Sequence, residues 1–192
     1  MLVLASASPR RRELLAQLGV EFRVEPADVD ETPAPGAACE DAARDIATRK
    51  ALAVARGTDD PVLGADTIVV AADGEFLGKP RDAADARRIL GKLSGTTHRV
   101  ITGVCVATER GARVRTASES TSVTMRPLGA EEIDAYVASG ECYDKAGAYA
   151  IQETADRFVV RMDGGLTNVV GLPLDVVARL LRDAGVAAGT RP

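Results

Sequence analysis

Hydrophobic positions along the chain switch repeatedly between a strand-like and a helix-like spacing. Residues 2–5, LVLA, form a short apolar run that predicts a buried strand. Ser8-Pro9 then opens a helix, because Ser8 supplies a capping hydroxyl and Pro9 suits the first helical position. Leu14, Leu15 and Leu18 share one face of that helix and Gly19 closes it. A strand follows over residues 20–24. Residues 25–36 carry three Pro and four acids and read as a loop. The spacing predicts a helix over 38–56 and a β-branched strand over 61–70. A hairpin turn at 71–74 leads into 75–78. A helix capped at Asp82 runs to Leu93, and strands over 98–108 and 113–125 are joined at 109–111. A helix over 130–139, a strand over 157–162, a turn at 163–165 and an amphipathic helix over 173–184 complete the pattern. Strands alternate with helices, yet hairpins interrupt them. The fold class expected is therefore α/β, with a mixed twisted sheet flanked by helices rather than a purely parallel one. Residues 187–192 are expected to be a disordered tail.

Composition narrows the picture. The 192 residues include 24 Lys and Arg against 28 Asp and Glu, for a net charge of −4. The length suits one domain, over residues 1–186, built as two lobes. Aromatics are 3% and Trp is absent, so Val, Leu, Ile and Ala must fill the core, which suggests close helix–sheet packing. No apolar run approaches the ~20 residues of a membrane span, so no membrane partner is expected. At the start of the chain the cations follow the apolar stretch, the reverse of a signal peptide. Cys39, Cys105 and Cys142 have no paired spacing, which fits reduced thiols in a cytoplasm. With His98 as the one histidine and no Cys-x-x-Cys, a zinc site is not expected. The acidic balance and scarce aromatics argue against a nucleic-acid partner. They leave open a small anionic substrate in a locally basic pocket.

Four features could carry chemistry. Arg10-Arg11-Arg12 sits at the start of a helix, where cations oppose the helix dipole by ~0.3–1 kcal/mol each. An anion such as phosphate docked at that end would reverse the sign, and Ser6 and Ser8 add hydroxyls; the alternative is a solvated basic turn. Asp66, followed by Thr67, interrupts the apolar strand LGADTIVV. A carboxylate there needs a cation, a metal or a donor. It could hold a metal or take a proton from water, or else cap a turn at a strand end. Only four Lys occur against twenty Arg. Lys79, in Gly78-Lys79-Pro80, and Lys50, in an Ala-rich helix, could join the arginines around a triphosphate, although each alone reads as a solvated surface Lys. Last, residues 143–152, YDKAGAYAIQ, hold two of the six aromatics, and the Gln152 amide could read a base edge. The alternative is a packed loop with Tyr as core filler. His98 reads as structural. No Walker A loop, nucleophile elbow or dinucleotide fingerprint is present.

Taken in order, these stretches resemble the Maf family of nucleoside triphosphate pyrophosphatases. The matching segments are LASASPRRRELL, VDETP, LGADTIVV, GKPRDAADARRIL with LSGTTHRVITGV, ESTSVTM, EIDAYV, DKAGAYAIQ and NVVGLPL. The resemblance implies a fold like that of the inosine triphosphate pyrophosphatases, with a central cleft between two lobes. It also implies a cytoplasmic homodimer that needs a divalent metal, Mg²⁺ or Mn²⁺. The implied reaction is attack of water on the α-phosphate of a nucleoside triphosphate, releasing the monophosphate and pyrophosphate. By the same resemblance Asp66 is the proton acceptor. Ser8, Arg10, Arg11, Lys50 and Lys79 surround the phosphates, and Glu31 with Asp66 holds the metal. Arg10, Thr67 and Gln152 match the specificity positions of the branch acting on dTTP and UTP, whose pattern has SPR, ADT and AY-x-IQ. A second branch, with SPW, SDQ and SFKSE, acts on 7-methyl-GTP. The pyrimidine branch continues GIQG, whereas here Ala150 precedes Ile151, and Glu153-Thr154-Ala155-Asp156 follows Gln152. That departure keeps two alternatives in view: a 7-methyl-GTP or other purine triphosphate pyrophosphatase, and a weakly catalytic nucleotide-binding regulator of cell division.

Overall fold

The computed structural model describes residues 1–151 and 154–186. Gln152 and the expected tail therefore lie outside the described residues. The elements follow in the order β1 (Leu2–Leu4), α1 (Pro9–Ala16), β2 (Phe22–Val24), α2 (Cys39–Ala55), β3 (Val62–Val70) and β4 (Phe76–Leu77). Then come α3 (Ala83–Leu93), β5 (Thr97–Thr108), β6 (Arg113–Met125), α4 (Ala130–Ser139), β7 (Val159–Asp163), α5 (Leu166–Val170) and α6 (Leu174–Asp183). Seven strands form one mixed sheet in the order β2-β1-β3-β5-β6-β7, with β4 paired to β3. The fold class expected from the sequence is the one observed. Two differences are local. The last strand begins at Val159 because Thr154–Phe158 is a short 3₁₀ turn. Helix α5 is five residues long, too short to leave a helical period in the sequence.

The chain forms two compact units. The first contains Met1–Thr67, Thr102–Glu119 and the chain from Gly171 onward; the second contains Ile68–Ile101 and Ser120–Val170. In the first unit β1 pairs in parallel with both β2 and β3, through Leu2↔Phe22 and Val3↔Val62. Helices α1 and α2 supply the crossovers. Because β1 lies between β2 and β3, the strand order reverses beside it, and ligands of open α/β sheets bind outside the carboxyl ends of strands at such points. The part of the core beneath α2 includes Val3, Ala5, Ala47, Ala51, Val54, Ala55, Val62, Cys105 and Ala107. Small residues let α2 lie very close to the sheet. A Cβ at Gly64 would stand 2.3 Å from Ala47 O, and one at Gly103 2.2 Å from Ala43 O.

The second unit packs α3 and α4 over a separate core that includes Val69, Leu77, Ile89, Leu90, Tyr136 and Phe158. Asp82 caps α3, its carboxylate accepting from Asp85 N at 2.8 Å. α4 ends at Gly140, whose φ of 81° is the left-handed conformation that glycine adopts without strain. β7 pairs antiparallel with β6. Cys105 and Cys142 are buried, Cys39 is half-buried, and all three are free thiols. Among the described residues, no helix is long and apolar enough to cross a membrane.

Candidate active site

The β1–β3 register builds the centre of the site. Ala5 N donates to Leu63 O at 2.8 Å, so Asp66 and Thr67 stand just past the carboxyl end of β1, where α1 begins. Ser8 is the N-cap of α1, its Oγ accepting from Arg11 N at 3.4 Å, and Pro9 opens the helix. No acid lies in that first turn. Arg11 turns back from it across the unit. Its Nε donates to Gly171 O (2.9 Å), Nη1 to Ser6 Oγ (3.2 Å) and Nη2 to Thr67 Oγ1 (3.1 Å). Ser6, expected as a donor toward an anion, is here an acceptor for both Arg11 and Ser8 N. Burial lowers the Arg11 pKa, while Asp66 and Glu31 act in the opposite direction and Arg10 adds to the lowering.

Helix α2 delivers the second cation. Lys50 projects toward β3, and its Nζ reaches Asp66 Oδ1 at 2.7 Å and Glu31 Oε1 at 2.9 Å. Lys50 and Asp66 side chains are both 8% exposed, against 56% for Glu31. The default of a solvated surface lysine fails for Lys50; Lys145 is likewise buried, against Glu141 O and Asp144. Asp66 lies inside β3 and caps no turn. A buried ion pair gains little net stability, because desolvation offsets most of its attraction. Glu31 sits in the Pro-rich loop, and Arg49 holds the loop on both sides of it, donating to Asp30 O and to Thr32 O. Asp30 Oδ1 also accepts from Thr32 N at 2.8 Å. Arg49 was not among the residues singled out from the sequence. It is one arginine of twenty, and only the loop's return path onto α2 distinguishes it.

Arg10, Arg11, Lys50, Asp66, Glu31 and Thr67 thus share the first unit, with Thr102 Oγ1 2.9 Å from Thr67 Oγ1. Lys79 belongs to the second unit and is exposed, on the loop between β4 and α3. That loop is tied down at both ends. Asp85 Oδ2 accepts from Arg81 N (3.2 Å) and Arg81 Nε (3.1 Å), and Gly147 N donates to Gly78 O (3.1 Å). In the same unit His98 is buried, with Nε2 2.7 Å from the Tyr149 hydroxyl, and desolvation lowers its pKa to about 4. Tyr149 is core, as its packed-loop reading has it, whereas Tyr143 is 40% exposed.

For a metal, the donor set is two carboxylates that converge on one ammonium. No group of three His, Cys, Asp or Glu side chains is found among the described residues. That set fits Mg²⁺, which keeps several waters and binds through one or two carboxylates plus substrate phosphates.

A family model described as Maf-like protein matches residues 1–184. A protein of an Anaeromyxobacter species named dTTP/UTP pyrophosphatase is 55% identical over 187 residues, covering 96% of this chain and 89% of its own. One of the same name from Geobacter sulfurreducens is 54% identical over 185 residues, 96% of each chain. Among solved structures, a HAM1 protein from Coxiella burnetii has a TM-score of 0.56 at 16% identity, covering 95% of this chain and 98% of its own. The Ham1 protein of Staphylococcus aureus gives the same TM-score at 15% identity. At such identities the likeness is one of fold.

Proposed function

The chain belongs to the Maf family, and from that membership we propose that it is a nucleoside triphosphate pyrophosphatase that hydrolyses dTTP and UTP to the monophosphate and pyrophosphate. The observation that carries the residue roles is the buried Lys50–Asp66 pair beside the basic N-terminus of α1. Water forms a bond to the α-phosphorus and the bond from that phosphorus to the bridging oxygen breaks, so pyrophosphate leaves. Lys50 orients the Asp66 carboxylate through Oδ1, and that carboxylate takes the proton of the attacking water. Arg10, Arg11 and Lys50 oppose the negative charge that grows on the phosphates. Ser8 and the first N–H groups of α1 add donors, and Lys79 is the remaining cation assigned to the phosphates. A divalent cation held by Asp66 and Glu31 would supply further neutralisation of phosphate charge. Arg10, Thr67 and Gln152 set the preference for pyrimidines. The proposal extends to a homodimer in the cytoplasm, where three free thiols stay reduced.

The test is turnover of a nucleotide panel with Mg²⁺ or Mn²⁺ in ¹⁸O-labelled water. The expected products from dTTP and UTP are pyrophosphate and a monophosphate carrying the label. Release of orthophosphate alone, label in pyrophosphate, or preference for 7-methyl-GTP would each overturn the corresponding part of the reading. Asp66→Asn should lower kcat by about 10²–10⁴, the usual contribution of a general base. A wild-type rate in a folded Asp66→Asn protein would remove Asp66 from the mechanism.

A further inference from the structure

The way Arg11 is held assigns a role to a residue so far without one. Its contacts are all to neutral oxygens: a carbonyl of Gly171, the Ser6 hydroxyl and the Thr67 hydroxyl. Neutral acceptors fix the plane of a guanidinium, while the carboxylates that act on it, Asp66 and Glu31, make no hydrogen bond to it. Two of its five N–H groups stay uncommitted by these three contacts and can meet a phosphate. Arginine has donors only, so in the 3.1 Å contact with Nη2 the Thr67 oxygen must accept. Thr67 still has its own proton to place, and Thr102 Oγ1 lies 2.9 Å away. Either hydroxyl can donate in that contact; a hydroxyl that accepts from a cation becomes a better donor, which favours the order Arg11 Nη2–H to Thr67 Oγ1–H to Thr102 Oγ1.

Thr102 is fully buried in β5, a strand buried from Val100 to Ala107. Valine has the same shape and would fill that slot with no polar atom to satisfy. We propose that Thr102 is a positioning residue for nucleotide binding. It accepts the Thr67 proton, orients the Thr67 lone pair toward Arg11, and so holds the remaining guanidinium N–H groups where the triphosphate docks. The inference rests on the reading that a nucleoside triphosphate binds at Arg11. It also means that the Thr67 hydroxyl is engaged within the protein. Thr67 then acts on substrate choice through the placement of Arg11 rather than by touching the base.

The experiment compares wild type, Thr102→Val and Thr102→Ser by calorimetric binding of the non-hydrolysable analogue α,β-methylene-UTP and by steady-state kinetics, with Tm measured for each. Thr102→Val should raise both Kd and KM about tenfold, the scale of one hydrogen bond to a charged centre, with kcat changed less than about threefold. Thr102→Ser keeps the hydroxyl and should stay within about twofold of wild type. Unchanged Kd in Thr102→Val, or equal weakening in both variants, overturns the inference, the second because packing alone would then explain it. If Thr102→Val does not fold, Thr102→Ala carries the same expectation, with Thr102→Ser as its rescue. A wild type that binds the analogue but releases no pyrophosphate defeats the pyrophosphatase reading, while the Kd comparison still decides the role of Thr102. A wild type that binds no analogue overturns both.

Discussion

Two glycine-to-alanine substitutions should act with opposite sign, and the structure gives the size of each. Gly64 lies two residues before Asp66, so both side-chain directions point to the face of β3 that α2 covers. An alanine Cβ at Gly64 would meet Ala47 O at 2.3 Å, Ala51 N at 2.8 Å and Ala51 Cβ at 3.0 Å. Two of these are backbone atoms of a helix and cannot rotate away. To restore ordinary van der Waals separation, α2 must retreat by about 1 Å. Overpacking of this kind costs about 1–3 kcal/mol, which for a chain of this length lowers Tm by roughly 2–12 °C. Lys50 lies on the displaced stretch between Ala47 and Ala51, so its 2.7 Å contact with Asp66 opens as well. A misplacement of about 1 Å at a reacting centre can lower the rate about 10²-fold. Gly91, inside α3, is the control. Nothing lies within 4 Å of its Cβ position and its φ is helical. Gly91→Ala should therefore stabilise by about 0.5–1 kcal/mol and leave the rate alone. Scanning calorimetry and pyrophosphate-release kinetics on both variants provide the check. A Gly64→Ala protein with wild-type Tm and kcat/KM would refute the close approach of α2 and, with it, the account of how Lys50 reaches Asp66.

Two further predictions concern titration. Hydrogen bonds from the Arg81 side chain and backbone, then Arg88, hold the Asp85 carboxyl down to about 2 from its ordinary 3.8. A depressed carboxylate stabilises above its unfolded value and loses that contribution as pH falls toward the folded one. The Tm gap between wild type and Asp85→Asn should thus be constant above about pH 5 and shrink between 3.8 and about 2; a gap independent of pH over that window would contradict the Arg81–Asp85 geometry. His98 is the single histidine, so its NMR signal needs no assignment. Burial lowers its pKa to about 4, so the ring should stay neutral from pH 8 to 5, and the stability it contributes should fall as pH drops from 6.5 toward 4. A titration midpoint near 6.5 would show that the ring is not buried against Tyr149.

Most elements were legible from local sequence because their signals are local. Ser8-Pro9 fixes the start of α1, Asp82 caps α3, and residues 130–139 carry both their helical period and Gly140 at the end. The arginines at a helix start and the acid inside LGADTIVV were equally visible, since each violates a local preference. What the sequence could not supply was distance. Lys50 and Lys79 look alike as residues, yet the first is buried on an ion pair and the second is exposed. Only the packing of α2 onto β3 through Gly64, Ala47 and Ala51 separates them. Thr102 and Arg49 carried no signal, because a threonine in a strand and an arginine on a helix violate nothing. Their roles come from a hydroxyl 35 residues away and a loop 17 to 19 residues away. Local propensity acts over a few neighbours along the chain, whereas hydrogen bonds and ion pairs act over a few ångströms in space, and only the folded sheet brings the second kind of neighbour into being.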